Sequence, residues 1–175
     1  HYYNVPYIVL GLGDKWSSGK AENGVLLEPG GAQKINYLKK ELLSWDNLQD
    51  HIILFSDSYD VVFNTGPLEI VTKFRQFGSP IVFSTEKTCW PDPEVESLYP
   101  QSPTEYRFLN SGGFMGYGDH ILKLITEEVE NHEDDQRYYT NKFLNKPIPE
   151  PVKFDGVNPN NNEGHENGYK IGWMS

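Results

Sequence analysis

The chain has 175 residues, 37% of them hydrophobic and 14% aromatic, enough for one domain with a real core. Its formal net charge of −10 argues against a general nucleic-acid binder, and a phosphate-bearing ligand would need a cation or a cluster of donors to offset that background. A single cysteine, Cys89, excludes an internal disulfide; no run is long enough to span a membrane, and no targeting signal is recognisable in this sequence.

Tyr7-Ile8-Val9-Leu10 predicts a short strand closed by Gly11-Leu12-Gly13. The glycine pair resembles a dinucleotide fingerprint, but Trp16 stands where its third glycine belongs. Residues 14 to 29 carry Gly19, Gly24 and Pro29 and read as a loop. Trp16, in that loop, is either packed on the domain or a flat ring on which a nucleobase stacks.

Ile35, Leu38 and Leu42 share one face of a helix expected from Ala32 to Trp45. Lys34 falls in its first turn, where the helix dipole already favours anions; it is either solvated or reaches a phosphate. Ile52-Ile53-Leu54-Phe55 then forms an unbroken apolar run, the signature of a central strand buried on both faces. Asp57 stands at the end of that strand and Asp60 follows past a turn. Ligands of open α/β sheets bind at such carboxyl ends, and two convergent carboxylates suit a hard divalent cation that keeps room for water and phosphate oxygens. Asp57 and Ser58 are also ordinary turn formers.

A helix is expected from Pro67 to Phe77, with Ile70, Phe74 and Phe77 facing the core, and a buried strand over Ile81-Val82-Phe83-Ser84, with Glu86 just beyond its end. The irregular stretch from Lys87 to Arg107 holds four prolines and Trp90, and its length marks it as functional or mobile. Phe108 to Tyr117 reads as a strand whose Gly112-Gly113 pair admits a close approach. A helix capped by Asp119 is expected to about Glu130, and a last one through Leu144, opened by Asp134-Asp135-Gln136. Residues 1–146 thus form one domain, and 147–175 a Pro/Asn-rich tail of a composition that disfavours order. The alternation predicts an α/β, mostly parallel sheet with helices on its faces, gathering the acids, Glu86 and Asn110 at one edge.

Seven segments, taken together, resemble a known family. They are Leu10-Gly11-Leu12-Gly13-Asp14-Lys15-Trp16, Gly30-Gly31-Ala32-Gln33-Lys34, Asp57-Ser58-Tyr59-Asp60-Val61, Phe83-Ser84-Thr85-Glu86, Cys89-Trp90-Pro91, Arg107 to Phe114, and Asp134-Asp135-Gln136. In this order and spacing they resemble the amino-terminal glycosyltransferase domain of the procollagen lysyl hydroxylases, over about residues 4 to 145. The resemblance implies a Rossmann-like GT-A-type fold using Mn²⁺ and a UDP-sugar. It also implies retaining transfer of a hexose, glucose first, to galactosyl-hydroxylysine of collagen-like chains, in the endoplasmic reticulum lumen or secretory pathway and in association with hydroxylase domains. It places Asp57 and Asp60 at the metal, Trp16 and Tyr59 around uracil and ribose, and Lys34 at the diphosphate. Glu86, Trp90, Asn110, Asp134 and Asp135 fall on the sugar and acceptor side. Two departures stand out. The family's first strand, with further nucleotide contacts, is missing here, and its third metal ligand, a histidine, has only His165 in His165-Glu166-Asn167-Gly168 as a candidate. Two other functions remain open: a non-catalytic GT-A-like domain that binds nucleotide sugar or a partner protein, and an aspartate-nucleophile phosphatase. The three-residue spacing of Asp57 and Asp60 counts against the phosphatase, whose acids usually stand two apart.

Overall fold

The computed structural model describes residues 5–17, 21–22, 25–26, 30–144 and 171–174. In chain order the elements are β1 (Ala21–Glu22), β2 (Val25–Leu26), α1 (Gln33–Leu42), β3 (Ile52–Ser56), α2 (Pro67–Gln76), β4 (Ile81–Glu86), β5 (Phe108–Tyr117), α3 (Gly118–Leu124), α4 (Asp135–Leu144) and β6 (Ile171–Met174). Short 3₁₀ helices occupy Leu48–Asp50 and Pro93–Leu98. β1 and β2 form a two-stranded antiparallel pair inside the stretch expected as loop, and β6 lies inside the stretch expected as tail.

The main sheet has the order β3-β5-β4-β6. β5 is antiparallel to both β3 and β4, and β6 is parallel to β4. The expectation of a mostly parallel sheet is therefore corrected: two of its three pairings are antiparallel. The cause lies in the connection from β4 to β5. A parallel neighbour requires a crossover, normally a helix on one face of the sheet. The segment from Lys87 to Arg107 carries only a 3₁₀ helix and returns directly, so that Glu86 faces Phe108 and the Arg107 N–H donates to the Glu86 carbonyl.

Three further expectations change. Tyr7 to Leu10 is not a strand; it pairs with no described strand, and Tyr7, Ile8 and Val9 are exposed. Among the described residues β3 is an edge strand rather than a central one, and Leu54 is exposed. An apolar run reports burial of the strand's faces and not whether both hydrogen-bonding edges are occupied. α3 stops at Leu124 instead of near Glu130, although Ile125 and Val129 stay buried beyond its end.

The core is built on an aromatic row across the sheet. Phe55, Phe114 and Phe83 face one another in register on β3, β5 and β4. Their rings stack at 4.8 Å and 4.9 Å between centroids, and Tyr139 of α4 packs on Phe83 and Phe114 at 5.1 Å and 5.4 Å. Aromatic neighbours at these separations add about 0.5–1.5 kcal/mol per pair beyond area burial. The row has a positional consequence. Asp135 lies one helical turn before Tyr139, on the same face of α4, so docking Tyr139 on the sheet carries Asp135 to the sheet's end.

Candidate active site

The strand ends meet where β5 bulges. Its register with β4 jumps from Phe83↔Phe114 to Ser84↔Asn110, leaving Ser111, Gly112 and Gly113 opposite no β4 residue. Bulges re-aim side chains. Here the Ser84 hydroxyl fills the gap, placed 2.9 Å from the Gly113 carbonyl and 3.1 Å from that of Asn110. The Gly112 N–H donates to Asn110 Oδ1 at 3.0 Å, and the Gly112 carbonyl accepts the Asp57 N–H at 2.8 Å. A Cβ on Gly112 would stand 3.0 Å from Asn110 Oδ1 and 3.2 Å from Asp57 Oδ2, so the absence of a side chain there lets Asn110 and Asp57 approach from either side.

Lys34 joins two acids that lie far apart in sequence. Its Nζ is 3.1 Å from Asp57 Oδ1 and 2.7 Å from Asp135 Oδ2. Burial pulls the Lys34 ammonium down, but Asp135 and then Asp57 outweigh it and hold it above the ordinary lysine value. Asp135 is buried, and it sits against Gly31, whose φ of +114 and missing Cβ leave room for its carboxylate. The backbone meets here too: Gly31 bridges Asp134, and the Ala32 N–H donates to the Glu133 carbonyl.

Asp134 and the first residues of α4 each hold a different part of the site. Asp134 Oδ1 accepts the Arg137 N–H at 2.6 Å, the arrangement of a helix cap. Gln136 is buried; its Oε1 accepts the Ser111 N–H at 3.1 Å, and its Nε2 donates to Glu86 Oε1 at 2.5 Å and to the Trp90 carbonyl at 2.8 Å. Arg137 clamps Asp92 with two parallel bonds of 2.7 Å and 2.8 Å. α4 thereby ties the Trp90 loop, the end of β4 and the β5 bulge to one another.

The predicted residues thus fall into groups. Lys34, Asp57 and Asp135 come together directly, Asn110 joins Asp57 through Gly112, and Gln136 ties Glu86 and the Trp90 carbonyl to Ser111 of the bulge. Asp134 serves beside them as a cap. Trp16 is 52% exposed on its own loop, with its ring outside the core. Tyr59 and Asp60 are exposed on the turn after β3, and His165 lies outside the described residues. Among the described residues no group of three or more His, Cys, Asp or Glu is placed to hold a metal ion. Asp57 and Asp60 supply oxygen donors of the kind a hard cation takes; Asp57 is paired with Lys34, and Asp60 is exposed three residues on. The organising roles of Gln33, Gln136 and Arg137 went unread in the sequence. The available signal was polar side chains in the first turns of helices, a weak one.

Asp134 supports a stability prediction. Burial raises its carboxyl to about 6, against cap and Arg137 contributions that lower it. A carboxyl whose folded value is raised favours the fold when protonated. The cost of its charge is absent below the unfolded value of 3.8 and complete above about 6, so stability falls as pH rises through that window. Asp134→Asn keeps the cap acceptor and removes the charge. It is expected to stabilise the protein by about 1 kcal/mol at pH 7, a figure reduced for solvent screening, and to change nothing at pH 3.5. Urea melts at the two pH values check this; equal effects at both would rule it out.

Comparison with known proteins identifies the family. Residues 1–155 match the family described as the PLOD GT domain. The chain belongs to that family. It is 41% identical over 158 residues to rat procollagen-lysine,2-oxoglutarate 5-dioxygenase 1, covering 90% of this chain and 20% of the relative. It is 39% identical over 153 residues to the rat multifunctional procollagen lysine hydroxylase and glycosyltransferase LH3, covering 87% and 20%. It is 40% identical over 145 residues to Drosophila melanogaster procollagen-lysine,2-oxoglutarate 5-dioxygenase, covering 82% and 19%. The chain therefore spans about one fifth of the length of these relatives. Membership makes it a glycosyltransferase-type domain with relatives named for procollagen modification. Among the described residues no helix is long and apolar enough to cross a membrane.

Proposed function

We propose that this domain transfers a hexose, glucose first, from a UDP-sugar to galactosyl-hydroxylysine or hydroxylysine of collagen-like chains, with retention at the anomeric carbon. The observation that carries the proposal is the Lys34 bridge, which joins the acid at the end of β3 to the acid at the start of α4. A net charge of −10 makes a positioned cation necessary for any diphosphate, and Lys34 lies at the strand end where such a ligand binds.

Asp57 and Asp60, with His165 as a third candidate, would hold Mn²⁺. That ion would offset the diphosphate charge and ease departure of UDP. Lys34 adds a fixed positive charge on the same side. In this reading Trp16 and Tyr59 frame the base and ribose. Asn110, Glu86 and Asp135 orient sugar hydroxyls, and the exposed Trp90 faces the acceptor. In the overall change the anomeric carbon–oxygen bond to UDP breaks, a bond to the acceptor oxygen forms on the same face, and the acceptor proton is released. The acceptor class places the reaction in the endoplasmic reticulum or secretory lumen. The fraction of each relative that the chain spans fits a domain working beside a hydroxylase domain.

Two experiments test this reading. UDP-glucose and UDP-galactose are offered with Mn²⁺, with and without a galactosyl-hydroxylysine peptide; sugar on the peptide supports the proposal. Asp57→Ala or Asp60→Ala is expected to abolish Mn²⁺-dependent UDP binding while far-UV dichroism stays unchanged. Calorimetry showing parental UDP affinity in either variant would remove the metal assignment. A second reading, a non-catalytic domain that binds nucleotide sugar or a partner chain, is favoured by the pairing of Asp57 with Lys34 and by the lack, among the described residues, of a group of three or more metal-ligating side chains. Binding of UDP and Mn²⁺ without transfer to any acceptor would select it.

A further inference from the structure

Gln33 is the first residue of α1, and it is 5% exposed. A buried primary amide has two donors and two acceptor lone pairs to satisfy. Its Nε2 donates to the Lys15 carbonyl at 3.0 Å and to the Tyr37 hydroxyl at 2.7 Å. Its Oε1 accepts the Ser17 N–H at 2.6 Å. Both loop partners are backbone groups, and they are the residues immediately before and after Trp16. One side chain therefore grips the loop on either side of a tryptophan that stays 52% exposed. Tyr37, one turn along α1, holds the amide in place, and its ring lies close against Gly11, where the Asp14 N–H closes the preceding turn.

This arrangement fixes a backbone and presents a ring. A core tryptophan would be held by contacts to its own indole. Here the fixing is done through the neighbouring peptide groups, leaving much of the ring open. Ordering a loop residue on binding costs conformational entropy, and a loop ordered beforehand avoids that cost. Gln33 also precedes Lys34, so one helical turn carries both the grip on the Trp16 loop and the cation that bridges Asp57 and Asp135.

We infer that Gln33 is a positioning residue for nucleotide binding: its amide locks the Trp16 loop so that the ring is pre-set for stacking on the donor base. The inference rests on the proposed role of Trp16 as a base platform. It assigns Gln33 no contact with the ligand; Gln33 acts through Trp16.

The test is a double-mutant cycle on UDP affinity, measured by calorimetry in the presence of Mn²⁺. Gln33→Met keeps the side chain's length and removes all three hydrogen bonds. Trp16→Ala removes the ring. Each single variant is expected to weaken UDP about 10-fold, the scale of one base stacked on an aromatic side chain. In the Trp16→Ala background, Gln33→Met is expected to add less than 2-fold. Ser17→Pro removes the N–H from the loop side and leaves α1 untouched, so it gives the same reading where Gln33→Met fails to fold. Strong non-additivity with either variant supports the inference. Additive losses, or parental affinity in Gln33→Met and Ser17→Pro while Trp16→Ala binds weakly, overturn it and leave the Trp16 reading standing. Parental affinity in Trp16→Ala, or no UDP binding by the parent chain, overturns both.

Discussion

Lys34→Met is expected to lower transfer by about 10²–10³-fold and the melting temperature by about 5–10 °C. The activity figure is the usual cost of removing one fixed charge-stabilising group from an active site. The stability figure follows from what remains. Asp135 is 6% exposed, and without Lys34 its carboxylate faces Asp57 with no cation between them. Removing one partner of a buried ion pair costs about 3–5 kcal/mol. Asp57 is half-open to solvent and screens part of that, leaving roughly 2–3 kcal/mol, or several degrees for a domain of this size. The pH dependence distinguishes this from a simple packing loss. In the parent, the ammonium is held above its ordinary value, so the pairing contributes fully below about 10.5 and is lost only as pH rises through the higher folded value. The variant's deficit relative to the parent should therefore shrink only as pH rises above about 10.5, where the parent begins to lose the pairing. Thermal melts from neutral pH upward check it. A parallel offset at every pH would mean that packing, and not charge, was lost.

Much of the site was legible because it sits in short motifs. Asp57 beyond an apolar run, Glu86 at the end of another and Asn110 before a glycine pair were each readable locally, and the sheet brings them to one edge as expected. The helices read from Ile35, Leu38 and Leu42 and from Phe74 stand nearly where their periodicity placed them. What failed has a common character. The position of β3 in the sheet, the direction of β5 and the absence of a strand at Tyr7 to Leu10 all depend on which segments pair. Strand pairing is non-local and leaves little trace in any one segment. The hydrogen bonds between Gln33 and Lys15 and Ser17 and between Gln136 and Glu86 and Trp90 join residues 16 to 50 positions apart. Locally, each glutamine reads only as a polar residue at a helix start. The bulge at Ser111 to Gly113 was half visible: the glycines marked a close approach, but not that Asn110 and Asp57 were the groups approaching.

Asp135→Asn is expected to lower sugar transfer by at least about 10²-fold while UDP and Mn²⁺ affinities stay within about 2-fold of the parent. An acid at a helix start is stabilised by the dipole whatever its function, so the bland reading of this residue is a cap. The structure divides that role between neighbours. Asp134 takes the Arg137 N–H, while Asp135 turns its carboxylate to Lys34 at 2.7 Å, the same ammonium that holds Asp57. A carboxylate held there by a lysine can orient a sugar hydroxyl and offset positive charge growing at the anomeric carbon. Charge that exists only in the transition state is felt in kcat and not in ground-state affinity. Asparagine keeps an oxygen for Lys34 and fits beside Gly31 with nearly the same shape, so the fold should survive with at most a small fall in melting temperature. Single-turnover transfer and calorimetry on one preparation separate the outcomes. Reduced kcat with unchanged donor binding assigns Asp135 to the chemistry. Transfer at the parental rate makes it a structural partner of Lys34 alone. Weakened UDP binding with unchanged kcat would place Asp135 on the donor side, acting through the lysine it holds.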